Sequence, residues 1–302
     1  MVTGPVMLAV DIGGTKTALH VRGPHGDSGE TAFTWPGRQS ADDDLALLFG
    51  AAQRALDAAG ERNPSHVVVA FPGTCGPDGR VERWPTRPEW RGTPLAAALA
   101  DRWDVAVLVH DDALLGAYAE LPAVASPHGA ALYLSSGTGI GGAWLAARPP
   151  DAVGPVALAD LHPAEPGHLL VHPDADRRCD CGRQGCLQSY ASGPALRRSA
   201  ALHGSANALA GAADALAVAV ANVSELMPLA TVVIGGGCGT GTHGLIPALR
   251  EALRRRTRDG SAVPDVLPAR HGARSSLRGA LLLAGTITST LAFRPHERST
   301  HA

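Results

Sequence analysis

Short apolar runs bounded by glycine and proline alternate along this chain with longer segments whose apolar residues recur at helical spacing. "MLAVDIGG" from Met7, "TALHVRG" and "ETAFTW" predict three successive strands joined by glycine-rich turns. "DDDLALLFGAAQRALDAAG" then predicts a helix that opens on a capping aspartate cluster and stops at Gly60. "HVVVAFPG" and "VAVLVH" have the length of buried strands, and the loop "TCGPDGRVERWPTRPEWRG" and the helix "PLAAALADRW" lie between them. The scheme repeats in the second half. "AALYLSSGTGIGGAWLAA" predicts two strands around a glycine hairpin, as "MLAVDIGGTKTALHV" does near the start, and "ATVVIGGG" predicts a later strand ending in glycines. Two similar α/β halves are therefore expected, with a loop-rich insert from about Arg148 to Gln188 and a frayed tail at "RPHERSTHA".

A length of 302 residues suits two domains, each with its own core. Hydrophobic content of 45%, charged content of 18% and a net charge of -2 lack the basic excess of a nucleic-acid binder. The basic run "LRRRTRDG" at 253–260 reads as a solvated helix end, where cations favour the helix dipole. The apolar stretch at the start is too short for a signal sequence and no later segment is expected to approach a membrane span, so the cytoplasm is the expected compartment. Five cysteines, three of them in "CDCGRQGC", suit a reducing compartment and a metal better than a disulfide framework.

Three glycine turns carry candidate chemistry. In "DIGGTKT" at 11–17, Gly13 and Gly14 permit a tight turn whose N–H groups can face a phosphate, beside the hydroxyl of Thr15 and the cation of Lys16; an ordinary Gly-Gly hairpin is the alternative. "SSGTGIGG" at 135–142 and "IGGG" at 234–237 repeat the chemistry, and three such turns favour a nucleoside triphosphate. Cys179, Cys181 and Cys186 offer three thiolates within eight residues, with His168 shortly before them, the donor set of a closed structural zinc site. Reduced cysteines in a turn, or a Cys179–Cys186 disulfide, are the alternatives. Cys75 and Cys238 read as ordinary core or loop residues, and His110, His162 and His172 as surface or loop residues. Trp84 and Trp90 are expected to pack against their own loop, with lining of a ligand cleft as the alternative.

Together these segments resemble the actin-like sugar kinases and, within them, the ROK family (repressor, open reading frame, kinase), from about Met7 to Gly285. "DIGGTK" is similar to the family's first phosphate loop, "SSGTGIGGAW" to its second, "AEPGH" with "CDCGRQGCLQSYASG" to its sugar and zinc segment, and "VVIGGG" to its adenosine turn. The resemblance implies an α/β, two-domain actin-like ATPase fold with a ribonuclease H-like core and a cleft between the domains that closes on a hexose and Mg-ATP. It implies a small domain of residues 1–111 with about 287–302, and a large domain of 112–286 with a zinc-binding insert at about 160–190. Asp11 would approach Mg2+ through water, while Gly13, Gly14, Thr15, Lys16, Gly137, Thr138 and Gly139 would face the phosphates and Gly236 and Gly237 the adenosine. The family's zinc-binding histidine, here His168, also touches the sugar with its other nitrogen, so zinc orients substrate. A homodimer, without nucleic-acid or membrane partners, is the expected assembly.

"HDDALLGAYAE" resembles the family's catalytic segment, and its ending Ala119-Glu120 sets the register: Asp112 takes the position of the base and Asp111 that of an Asn. Asp112 would accept the proton of the sugar's 6-hydroxyl as that oxygen attacks the γ-phosphorus. Three residues depart from the family pattern: Asp111 for Asn, Leu114 for a second Asn, and Gln188 for the Glu that follows "GCL". In the family the residue before the base bonds the sugar's 3- and 4-hydroxyls and the residue after "GCL" reaches the anomeric end. Glu165 remains for ring hydroxyls, and Gly73 and Thr86 occupy loop positions that approach the sugar.

An Asn amide donates and accepts, whereas an ionised Asp only accepts, so Asp111 calls for a donor. Two adjacent carboxylates in a closing site repel, and a cation on the substrate relieves them. An ammonium at sugar carbon 3 would do so, which points to 3-amino-3-deoxyglucose, kanosamine, and to similarity with the ROK-type kanosamine 6-kinases of ansamycin antibiotic pathways. The alternatives are acceptance from neutral glucose hydroxyls in a glucokinase, and an N-acetylmannosamine kinase. A sugar-responsive repressor carries a helix-turn-helix domain ahead of the first phosphate loop and is not expected, since the first core strand begins by Met7. A catalytically dead sugar-binding module would have lost Asp112 or a phosphate loop, and both are present.

Overall fold

The computed structural model describes residues 4–173 and 176–287. β1 (Met7–Ile12) buries Leu8, Ala9, Val10 and Ile12 and pairs antiparallel with β2 (Lys16–Arg22), which pairs antiparallel with β3 (Asp27–Thr34). α1 (Ala41–Ala58) packs over β2 and β3. Its cap is not the aspartate cluster expected from the sequence: Ser40, extended at φ -65°, ψ 156°, accepts the Asp43 N–H with its hydroxyl at 3.1 Å. Asp42, Asp43 and Asp44 fill the first turn, where the helix dipole favours negative charge, and Asp44 is fully buried.

β4 (His66–Phe71) runs parallel to β1, and after a small hairpin of β5 (Thr74–Cys75) and β6 (Val81–Arg83) and the helix α2 (Leu95–Trp103), β7 (Ala106–Asp111) runs parallel to β4. The sheet order is β3-β2-β1-β4-β7. α3 (Asp112–Glu120) follows β7 without a linker.

The second sheet repeats this scheme. β8 (Ala130–Ser136) and β9 (Ile140–Leu145) form the glycine hairpin, and β10 (Leu161–Ala164) adds antiparallel to β9. Thus the loop-rich insert contributes an edge strand, and His162, expected at the surface or in a loop, is exposed on that strand with its ring stacked on Trp144 at 4.1 Å. His110, also expected at the surface or in a loop, sits partly buried in β7, where desolvation lowers its pKa. The helices α4 (Gln188–Ala191), α5 (Gly193–His203) and α6 (Ser205–Leu226) lead to β11 (Leu229–Gly235), parallel to β8. Then come α7 (Gly236–Gly241), α8 (Leu245–Arg254) and β12 (Asp265–Pro268), parallel to β11, and finally α9 (Ser275–Ala284). The order is β10-β9-β8-β11-β12.

The expectation that no segment approaches a membrane span is corrected at α6, which is long and apolar enough to cross a membrane by length and composition, with a mean hydropathy of 1.4. Its alanines let it lie close against α5 and α8, and Ala212, Ala213, Leu216 and Val220 are buried in the second core.

The chain divides into two compact units, described residues of 1–112 with 277–302, and of 113–276. The first core joins Val10, Leu19, Leu48, Val69 and the tryptophans 35, 84 and 90. Of the expected return segment 287–302 only residue 287 is described, and the tail "RPHERSTHA" lies outside the described residues.

Candidate active site

Asp11 is the penultimate residue of β1, and the turn that follows closes with Gly13 donating to the Lys16 carbonyl at 2.9 Å. A Cβ at position 13 would stand 2.7 Å from that oxygen, so the turn needs glycine there. Gly14 is half-buried, and Thr15 and Lys16 are exposed. Desolvation, and then the charge of Glu30, push the Asp11 carboxyl up to about 7, against the pull of Lys16. A carboxylate held in this way gains from a cation, and the residues fit Mg2+ in that respect.

Trp35 backs the turn. Its indole N–H donates to the Gly13 carbonyl at 2.9 Å and its backbone N–H to the Thr15 carbonyl at 3.0 Å. The Arg87 guanidinium lies over the Trp35 ring, 4.8 Å from its centroid, and pairs with Asp44 at 2.5 Å. The same Asp44 oxygen accepts the Trp90 indole N–H at 2.8 Å, and Trp84 packs edge-on to Trp90 at 4.8 Å. So Trp84 and Trp90 do pack within their own loop, and also against Trp35 and Phe71. Gly73, half-buried, and Thr86, exposed, sit on the same loop, Thr86 next to Arg87. Trp35, Asp44 and Arg87 were not singled out from the sequence; an Asp buried in a first helical turn has no linear signature.

Asp111 ends β7 and Asp112 opens α3, both half-buried. An apolar strand running directly into a helix brings the two carboxylates to the carboxyl edge of the parallel strands β1, β4 and β7, where α/β folds bind ligands. The far end of α3 is anchored by Glu120, 1% exposed, which accepts from the Arg270 N–H at 2.8 Å, the His271 N–H at 2.9 Å and the Ser275 hydroxyl at 2.7 Å. Sequence reading used Glu120 only to set the register; its anchoring partners lie some 150 residues away in the chain.

The turn Gly137–Gly139 joins β8 and β9, with Gly137 donating to the Gly139 carbonyl at 2.9 Å and Thr138 exposed. Gly193 donates to the Gly137 carbonyl at 2.8 Å, and the Ser136 hydroxyl donates to the Ala191 carbonyl at 2.7 Å. Gly236, at φ +78°, starts α7; a Cβ there would lie 2.3 Å from the Ser136 carbonyl, so the adenosine-turn candidate packs on the strand that feeds the second glycine turn. Gly237 follows it in α7.

The ligand atoms of His168, Cys179, Cys181 and Cys186 lie within 4.8 Å of one another. Cys181 Sγ is 3.7 Å from Cys186 Sγ, and His168 Nδ1 is 3.6 Å from Cys179 Sγ. A tetrahedron with Zn–S near 2.3 Å and Zn–N near 2.1 Å has edges of about 3.8 and 3.6 Å, so the residues fit a zinc ion. Cys179, Cys181 and Cys186 are all free of disulfides. Burial alone would raise the Cys181 thiol, but hydrogen bonds from Arg183, Cys179 and Cys186 bring it down toward the thiolate, while burial and the neighbouring thiols push Cys186 up. Glu165, exposed, precedes His168 in the same turn, and Gln188 opens α4.

A model of the ROK family matches residues 7–287. The chain belongs to that family. It is 41% identical to a kanosamine kinase of Amycolatopsis mediterranei (strain S699), over 94% of this chain and 98% of that protein. It is 28% identical to an N-acetyl-D-glucosamine kinase of Escherichia coli O1:K1 / APEC, over 90% and 97%. Among solved structures it is similar to the ROK hexokinase from Thermus thermophilus, with a TM-score of 0.68 and 26% identity over 92% of this chain and 97% of that one. These relatives make this ROK protein an ATP-dependent sugar kinase of the two-sheet, actin-like fold.

Proposed function

We propose that this sugar kinase transfers the γ-phosphoryl group of ATP to the 6-hydroxyl of kanosamine, 3-amino-3-deoxy-D-glucose. The observation that carries the reading is the Asp111–Asp112 pair where β7 runs into α3; similarity to a kanosamine kinase supports it. Asp112 accepts the 6-hydroxyl proton while that oxygen bonds to the γ-phosphorus and the bond to the β-phosphate oxygen breaks, releasing ADP. Positioning and charge neutralisation supply most of the rate in such a transfer. Asp111 accepts from the ammonium at carbon 3, and Gly73, Thr86, Glu165, His168 Nε2 and Gln188 complete the sugar contacts.

Gly13, Gly14, Thr15, Lys16, Gly137, Thr138 and Gly139 hold the ATP phosphates, and Gly236 and Gly237 the adenosine. Mg2+ bound with ATP would neutralise phosphoryl charge, and Asp11 would hold it through water. His168, Cys179, Cys181 and Cys186 would hold one structural zinc, fixing the turn that presents His168 and Glu165 to the sugar. The clustered thiols suit the reducing cytoplasm, where we place a homodimer serving antibiotic biosynthesis.

ADP release measured over kanosamine, glucose, N-acetylglucosamine and N-acetylmannosamine tests the reading. Kanosamine should give the highest kcat/KM, with a 6-phosphate product. Glucose in first place replaces the substrate with that of a glucokinase, and no ADP release with any of the four overturns the phosphoryl transfer itself.

A further inference from the structure

Gln188 stands where the family pattern has a glutamate. Its side-chain N–H donates to Cys179 Sγ at 3.3 Å. Its oxygen points the other way, toward the second phosphate turn: a Cβ built on Gly139 would sit 3.3 Å from it. Gln188 is the first residue of α4, two residues after Cys186, and the intervening Leu187 is fully buried with its N–H bonded to the Leu169 carbonyl at 2.9 Å. The end of the same short helix is tied to the same turn, through Ser136 to the Ala191 carbonyl at 2.7 Å and Gly193 to the Gly137 carbonyl at 2.8 Å. One face of α4 therefore meets the thiolate cluster and the other backs the turn.

The residue type follows from charge. Three thiolates, one neutral imidazole and a divalent ion leave the cluster with a net charge of about -1. A neutral amide N–H directed at a ligand sulfur offsets that charge, whereas a carboxylate adds to it and has no proton to donate. We infer that Gln188 is a positioning residue of the metal centre, donating to the Cys179 thiolate and linking the metal loop to the second phosphate turn at Gly139. This rests on the zinc reading above. The second N–H of the amide is compatible with a contact to the anomeric end of the sugar, so the two roles can coexist.

Hydrogen-bond partners of metal ligands typically change metal affinity by about 10- to 100-fold when removed. The test uses the full chain as wild type, Gln188→Leu and Gln188→Glu. Zinc content is measured first, then the rate of zinc transfer to a chromophoric chelator, and then the thiolate-to-metal charge-transfer band of the cobalt(II)-substituted proteins. Release should be at least about tenfold faster in Gln188→Leu and faster again in Gln188→Glu, and the cobalt band should move to lower energy in Gln188→Leu as the sulfur loses its donor. KM for ATP should rise in both variants through the turn at Gly139. Zinc bound by the wild type with release rates and bands unchanged in both variants overturns the role of Gln188 alone. A wild type that binds neither zinc nor cobalt(II) overturns the zinc reading and this inference with it.

Discussion

The two sheets share one topology, three antiparallel strands followed by two parallel ones, yet their matching edges carry different chemistry. The penultimate residue of the first strand is Asp11 in one and Ser135 in the other. The fifth strand ends on Asp111, followed by Asp112, in the first sheet and on Pro268, followed by Ala269, in the second. The glycine turns differ in their support as well. Gly13 and Thr15 are held by an indole and a backbone N–H of Trp35, itself covered by the buried Arg87–Asp44 pair. Gly137 is held by backbone from the start of α5, beside the metal cluster. A repeated fold thus supplies two equivalent places for a glycine turn, while the acids sit on one sheet and the cysteine–histidine cluster lies with the other. Repetition of the hydrophobic pattern carries the architecture; the chemistry lies in the few residues that break the repetition.

The largest effect should separate the two edges directly. Asp112→Asn should keep its fold by circular dichroism and lose on the order of 10² to 10⁴ in kcat, whereas Ser135→Ala, at the position on the second sheet that matches Asp11 on the first, should stay within about tenfold of wild type. Comparable losses in both would erase the asymmetry. Next in size is the support of the first turn. Arg87→Met removes the ion-pair partner of the buried Asp44 and leaves Trp90 as its side-chain donor among the described residues, a change that typically costs about 3 to 5 kcal/mol, and Asp44→Asn in the same chain should recover most of it. Denaturant unfolding of the single and double variants checks this; a double variant no more stable than Arg87→Met contradicts it.

A smaller and pH-dependent effect is expected at Asp11. In the folded chain its carboxyl keeps its proton up to about 7, above the ordinary value of 3.8, so the unfolded state binds fewer protons between those values. Stability from this group is therefore present below pH 4 and is lost as pH rises toward 7. Asp11→Asn removes that loss. Melting temperatures should coincide below pH 4 and diverge in favour of the variant by pH 7, while turnover with Mg-ATP falls. A difference in Tm that does not vary with pH would show that Asp11 titrates normally.

Individual strands were legible because buried ones such as His66–Phe71 are short apolar runs closed by glycine or proline, and the cysteine cluster because its donors are crowded in sequence. Ser40 was missed as a cap because three aspartates follow it, all plausible caps by residue type, and only the backbone conformation singles out the hydroxyl. β10 was missed because His162 and Pro163 interrupt its apolar pattern, and its pairing with β9 is an edge contact that asks little of the side chains. The Asp44–Arg87–Trp35 arrangement was illegible for another reason: its members are 9 to 52 residues apart and meet only after the first sheet and α1 have packed.

The measurement closest to the central claim is kcat/KM for kanosamine and for glucose, in wild type and in Asp111→Asn, at one pH. A hydrogen bond to a charged group contributes about 1.5 to 3 kcal/mol, so the wild type should favour kanosamine by roughly ten- to more than a hundredfold. Asp111→Asn, which places the family's usual residue beside the base, should weaken kanosamine, improve glucose and bring the ratio toward one. A wild type that prefers glucose, or a variant that leaves the ratio where it was, would contradict the assignment of Asp111 as the charge that selects the substrate.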